Sequence, residues 1–368
     1  MKKIIFILLF IPIIIWVASR WDVWFNKHPE PCFTLTESVH GVQLTVGQNP
    51  IAERIISWRA RPDSALLGDS AVTLYWISES DTITPTVHAK WIKSGGGEAI
   101  YFWSNVQVAE GDYLYAISTL DSITPFYNLK INYSDSLEIL VLGDVQDKNL
   151  NPSTDSAVNA LVQTYNPDFI LQLGDLIHRP HHDKWDLYFN SFSALRTSVP
   201  IIAVVGNHDY HKGLNKYPDE RFFYTFPYFL DSLSQASLIG CAYLDFGATQ
   251  LYIIDSNQPV WRQFKQRAWL IEKLKNANKN EKRILALHHP LRSSRGKFNN
   301  LIVRLMYENV VKKFNIELVL AGHEHTNYTL SSSETGGYEQ IITNFSFKDY
   351  EDSKGESGRR AFSILVPR

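Results

Sequence analysis

The sequence predicts an α/β sandwich domain preceded by a small all-β sandwich. Three observations point there. From residue 135 onward, short runs rich in Ile, Val and Leu alternate with segments of helical period. Between residues 36 and 134 the runs are instead aromatic and β-branched, with turn residues between them. Five of the apolar runs in the second half end on a polar motif built from Asp, Asn or His.

The first 25 residues stand apart. Lys2 and Lys3 precede an apolar run from Ile4 to Ala18, the length of a signal-peptide core and short of the ~20 residues a spanning helix needs. Export follows, leaving the protein periplasmic, secreted or anchored outside the cytoplasm. Val17-Ala18-Ser19 offers small residues for cleavage after Ser19, whereas Trp16, Trp21 and Trp24 suit an interfacial belt. A cleaved signal peptide and an uncleaved membrane anchor therefore both stand. Cys32 does not lie in a lipidation context close behind the apolar core. With Cys241 the only other cysteine, any single disulfide would join the two domains.

Residues 36–134 read as the β-sandwich. Ala71–Ile77, Thr86–Ile92, Ala99–Trp103, Tyr113–Ile117 and Tyr127–Ile131 are strand-like, and Gly95-Gly96-Gly97 and Gly111-Asp112 mark turns. The boundary falls near Tyr133-Ser134-Asp135-Ser136.

Residues 135–368 carry the α/β pattern. Leu137–Leu142, Phe169–Leu173, Ile201–Val205, Ile284–Leu287 and Leu318–Ala321 read as strands covered on both faces. Asp155–Tyr165, Phe264–Leu274 and Leu301–Phe314 repeat apolar residues at helical period between them. Leu251–Asp255 adds a strand, and Tyr338–Asn344 with Ala361–Val366 complete an outer sheet.

The motifs that close these runs are Gly-Asp at 143–144, Gly-Asp-Leu-Ile-His at 174–178, Gly-Asn-His-Asp at 206–209, His-His-Pro at 288–290 and Gly-His-Glu-His at 322–325. A single Gly-Asp after a strand is usually just a turn. Five motifs in series, each at the carboxyl end of an apolar run, converge on the crevice where open α/β sheets bind ligands. Carboxylate, amide oxygen and imidazole together suit iron, zinc or manganese. Two such ions hold both the attacking and the leaving oxygen of a displacement at phosphorus. The expected reaction is attack of a metal-bound hydroxide on a phosphate ester.

The joint order of these motifs, over Leu137 to Asn327, resembles the calcineurin-like metallophosphoesterase superfamily, and within it purple-acid-phosphatase-like proteins. The resemblance implies a four-layer α/β sandwich. It implies that Asp175 bridges two metals, with Asp144 and His325 on one and Asn207, His288 and His323 on the other. It implies that His208 and Asn207 meet the phosphate, that His208 protonates the leaving oxygen, and that Asp209 orients the His208 imidazole. Residues 36–134 then look like the fibronectin-like domain that such proteins place before the catalytic one.

Two positions depart from the pattern. Many members have Asp-x-His where this chain has Asp144-Val145-Gln146, and Gln146 is a poor substitute for imidazole. Purple acid phosphatases carry Tyr where this chain has His178, so no ferric-phenolate colour is expected. His178 is thus a further metal-ligand candidate, filling the gap left by Gln146.

The neighbours of the motifs carry weaker signals. His289 stands beside His288 and suits substrate contact or simple packing. His181 and His182 read as solvated loop histidines, and Arg292 and Arg295 as phosphate contacts or ordinary loop residues. A formal net charge of -2 without a long basic run argues against nucleic-acid binding. The substrate is then a small phosphate ester, most simply a monoester. The alternatives are a phosphodiesterase with the same metals, or a surface binding protein whose metal site is structural or decayed.

Overall fold

The computed structural model describes residues 29–368, apart from 69, 147–151, 214–215, 234–237, 279, 297–299, 347–355 and 357, together with Ile15, Ala18 and Trp21. The proposed signal or anchor segment, residues 1–25, otherwise lies outside the described residues. Among those described, no helix is long and apolar enough to cross a membrane.

The second half is an α/β sandwich built on two sheets. One orders Ile201–Ala203, Phe169–Gln172, Ser136–Leu142 and Phe362–Pro367, the first three parallel and the last antiparallel at the edge. The other orders Ala242–Asp245, Thr249–Ile253, Lys282–Ala286, Leu318–Ala321, Glu339–Ile342 and Tyr328–Leu330, with a parallel centre. The segments expected to complete one outer sheet therefore finish two different ones. Glu339–Ile342 takes its register from Leu318–Ala321, and Phe362–Pro367 takes its own from Ser136–Leu142.

Strand alternation decides how the layers stack. Leu251, Ile253, Ile284, Ala286, Leu318 and Leu320 pack against Ile139, Val141, Phe169 and Leu171 of the facing sheet. Tyr252, Ile254, Leu285, Leu287 and Val319 point the other way, onto helices Val260–Asn276 and Leu301–Lys313. Helix Pro152–Tyr165 lies on the remaining face through Val158, Leu161 and Val162. The four layers implied by the resemblance follow.

The helix at Val260–Asn276 turns a different face inward than its apolar period suggests. Gln263, Gln266, Leu270 and Leu274 are buried, whereas Phe264 is 57% exposed. Polar bonds explain the rotation: Gln263 Nε2 donates to the carbonyls of Ser256 and Gln258, and Gln266 Oε1 accepts from Asp255 N–H.

The strand-rich first part consists of two facing sheets. One contains His40–Val46, Glu53–Ala60, His88–Ser94 and Gly97–Gln107, the other Val72–Ile77, Gly111–Thr119 and Tyr127–Ile131. Leu44, Ile56, Trp58, Trp76, Phe102 and Tyr115 fill the space between them. The first two strands escaped the sequence reading because both of their faces are covered. Thr45 Oγ1 donates to Ile201 O at 2.6 Å, Ser57 Oγ to Thr225 O at 2.8 Å, and Arg59 pairs with Asp186 at 2.5 Å. Their outer face is thus an interface with the α/β part, and polar residues there mimic a solvated strand. Both cysteines are free, Cys32 exposed and Cys241 buried.

Candidate active site

All five motifs meet at the carboxyl ends of parallel strands, three from one sheet and two from the other. The turns that deliver them are tight. Asp144, Asp175, His323 and His325 have positive φ angles of 54°, 54°, 72° and 48°, a strained left-handed conformation for residues with a side chain. Gly206 permits the closest approach: a Cβ there would overlap Asp175, and one on Gly322 would lie 2.7 Å from Asp144 Oδ2.

Asp144, Asp175 and His288 each place a donor atom within 4.8 Å of the others, all fully buried. His288 Nδ1 donates to Leu173 O at 2.8 Å, so in the neutral ring Nε2 carries a lone pair. That lone pair faces Asn207 Oδ1 at 3.0 Å and Asp175 Oδ1 at 3.4 Å. His323 Nδ1 lies 2.8 Å from the same amide oxygen and 3.3 Å from His288 Nε2. His325 Nε2 stands 3.6 Å from Asp144 Oδ1, and the backbone N–H of His323 donates to Asp144 Oδ2 at 2.8 Å.

This convergence of acceptors fits cations. Asp144 Oδ1 and Gln146 Oε1 are buried without a hydrogen-bond partner, a rare condition that a bound metal relieves. The electrostatics agree. Burial alone would lower His288, but the Asp175 and Asp144 carboxylates raise it to about 10, so the surroundings of the ring favour positive charge. Burial, with Asp175 and Asp209 nearby, pushes Asp144 well up, whereas Asp175, despite burial, is held low by His288 and His208.

Asp209 does something other than what was expected of it. Its carboxylate accepts backbone N–H bonds from Asp175, Leu176, Ile177 and Gly206 at 2.7–3.4 Å, and nothing is left for the His208 ring. His208 Nδ1 instead donates to His178 O at 2.8 Å. That bond leaves Nε2 as the atom able to exchange a proton.

The tentative positions divide. His178 stacks on His208, with ring centroids 5.3 Å apart, and like His323 and His325 it is not one of the three residues whose donor atoms lie within 4.8 Å of one another. His289 joins the cluster from the side, its ring 4.0 Å from that of His323 and its Nδ1 3.0 Å from Ser256 Oγ. Burial and the neighbouring His288 lower His289 to about 3, so it stays neutral. Ser256, which also accepts the His289 N–H at 3.0 Å, lacked any sequence signal.

Other loop residues prove structural. His181 and His182 are 8% and 0% exposed, contrary to the solvated reading, and His182 stacks on Phe33. The Arg292 guanidinium is held by Glu308, Glu334 O and Thr335 O, each at 2.8 Å, so it is committed away from phosphate. Glu324, the variable residue of the last motif, accepts from Ser294 N–H at 2.7 Å and from the hydroxyls of Ser293 and Ser294, tying down the loop after Pro290.

Beside His208 lies a cavity of about 120 Å³ lined by His178, Arg179, His181, Tyr210, His211, Lys212, Tyr217 and Glu30. The Glu30 carboxylate is already engaged, 2.7 Å from Arg221 and 2.6 Å from the His182 N–H. Arg179 and Lys212 therefore dominate its charge.

Fold and motif order together are those of metal-dependent phosphoesterases. The chain belongs to the calcineurin-like phosphoesterase family, whose sequence pattern matches residues 137–327, and that family implies a dinuclear metal centre. The chain is 28% identical over 187 residues to a protein of Moraxella catarrhalis (strain BBH18) named a probable cyclic nucleotide phosphodiesterase. That match covers 47% of this chain and 64% of the relative, so the chain spans just under two thirds of the relative's length. It is similar in structure to a purple acid phosphatase from yellow lupin (Lupinus luteus) seeds, with a TM-score of 0.68 and 13% identity over 90% of this chain and 70% of that one. It is also similar to PhoD, with a TM-score of 0.57 and 12% identity over 92% and 86% of the two chains. At such identities the likeness is one of fold.

Proposed function

We propose that the protein is an exported phosphomonoesterase whose two cations are held by Asp144, Asp175 and His325 on one side and Asp175, Asn207, His288 and His323 on the other. When bound, the cations supply Lewis-acid activation of water and neutralise charge at phosphorus. Asn207 and His208 contact the phosphate, and His208 Nε2 carries the proton for the leaving oxygen, its ring set by the His178 carbonyl. His289, neutral beside His323, lines the site as a polar contact for substrate. Asp209 is a positioning residue that holds the backbone on either side of the bridging Asp175.

One observation carries the preference for monoesters. The cavity next to His208 is cationic through Arg179 and Lys212, and burial together with Arg179 and Lys216 lowers the Lys212 ammonium, a sign of crowded like charge. An anion relieves that crowding, and a monoester near neutral pH carries about one more negative charge than a diester. The name of the Moraxella relative favours the other reading, a phosphodiesterase with the same donors. The ratio of kcat/KM for 4-nitrophenyl phosphate to that for bis(4-nitrophenyl) phosphate decides between them. A ratio well above one is expected, and a ratio below one makes the protein a diesterase.

Lys2, Lys3 and the apolar run Ile4–Ala18 support export. The division near residues 134–136 into a fibronectin-like and a catalytic domain belongs to the same proposal.

A further inference from the structure

Gln146 sits two residues beyond Asp144, at the position where imidazole is missing and His178 offers itself instead. Its side chain is 7% exposed. Its backbone N–H donates to Asp175 O at 3.0 Å, fixing it alongside the bridging carboxylate. The Nε2 contact with Asp175 Oδ2 is long, 3.4 Å, and Oε1 is buried with no partner at all. An amide oxygen closed off from water and unpaired is costly unless something binds it. The other such atom in this corner is Asp144 Oδ1.

We propose that Gln146, through its amide oxygen, completes the Asp144–His325 half of the metal centre, and that His178 does not. The assignment rests on the two-metal reading above. His178 is placed for another task, with its ring against His208 and along the cavity wall and its carbonyl on His208 Nδ1.

The assignment makes the two halves chemically unequal. The first offers oxygens from Asp144, Asp175 and Gln146 against one imidazole, His325. The second offers oxygens from Asp175 and Asn207 against the two imidazoles of His288 and His323. Oxygen-rich sites favour harder ions such as Mn²⁺, whereas imidazole suits Zn²⁺. The first half therefore discriminates less against the harder ion than the second does, and Mn²⁺ alone suffices to fill it.

The experiment measures metal content by elemental analysis and the Mn²⁺ spectrum by electron paramagnetic resonance, on the full chain equilibrated with Mn²⁺, Zn²⁺ or both and then desalted. Wild type should hold two ions, whether loaded with Mn²⁺ alone or with Zn²⁺ alone. Gln146→Ala should weaken one Mn²⁺ site by more than the about 10- to 100-fold loss typical of residues behind a ligand, while thermal unfolding of the metal-free chain is unchanged. Gln146→Glu should keep two ions and the Mn²⁺ spectrum. Gln146→His should shift that site toward Zn²⁺, and His178→Ala should match wild type. Loss of an ion in His178→Ala with both retained in Gln146→Ala overturns the assignment, as does retention of both in each. Fewer than two ions in wild type under every condition overturns the two-metal reading itself.

Discussion

Asp209 grips Asp175 through the backbone: its Oδ2 accepts the Asp175 N–H at 3.0 Å while the same oxygen accepts Gly206 N–H at 2.7 Å. One buried carboxylate thus joins the turn that carries Asp175, the proposed bridging ligand, to the turn that carries Asn207 and His208. The ends of two strands are locked in register by a residue that need never touch substrate.

Replacing Asp209 by Ala strands several buried N–H groups, each at a cost of about 1–3 kcal/mol. The expected result is a loss of stability of more than about 3 kcal/mol, read by denaturant unfolding, together with weaker metal retention. Asp209→Asn keeps one acceptor oxygen and should fall between wild type and Ala. Full stability in the Ala variant would refute the role.

His208→Ala should lower kcat by about 100- to 10,000-fold with metal content intact, the range for loss of a positioned proton donor. His178→Ala should stay within about tenfold of wild type, because the carbonyl that orients His208 belongs to the backbone. Comparable losses in the two variants would show that the ring stack, rather than proton transfer, matters.

Lys212→Ala and Arg179→Ala should raise KM for a monoester and leave kcat nearly unchanged, with a smaller effect on a diester. Raising salt should shrink the difference, since charges that reach solvent attract an incoming anion less as ionic strength rises. Equal KM effects on both ester types would remove the charge argument for monoesters.

A second ionic cluster governs acid stability. Arg221, buried at 1% exposure, pairs with Asp219 at 2.9 Å and with Glu30 at 2.7 Å, while Trp185 Nε1 donates to Asp219 at 2.7 Å. Despite burial, Arg221 holds both carboxyls below their usual range. A depressed carboxyl stabilises the fold above its unfolded value, about 4, and that contribution drains away as pH falls below it. Stability should drop from pH 5 toward pH 3, as unfolding midpoints will show. Asp219→Asn should cost about 3–5 kcal/mol at neutral pH by leaving Arg221 short of a partner, and should flatten the acid limb.

Much of the α/β part was legible because its strands end on their own chemistry. Leu137–Leu142 followed by Gly143-Asp144, or Leu318–Ala321 followed by Gly322-His323, announces both a buried strand and a donor at its tip. Residues whose environment is made by distant segments were not legible. The strands that carry Thr45 and Arg59 were not read at all, because both residues are interior only where the α/β part covers them. His182 looked solvated, yet Phe33 and the Glu30 segment close over it. Arg292 stood open between a phosphate contact and an ordinary loop residue, and Glu308, sixteen residues on, decided it.

The sequence by itself determined the family and the order along the chain of the motifs that carry the proposed donors, since each motif is local and carries its own turn chemistry. Only the tertiary structure decided how those donors share the work. It gave Asp209 to the backbone, set His208 by a carbonyl, turned His178 toward the cavity and left Gln146 with a buried, unpaired oxygen two residues beyond Asp144. The physical reason is that a side chain's role is fixed by which acceptor or donor lies within about 3 Å of it. That partner is supplied by strands far apart in the chain, which meet only when the two sheets pack.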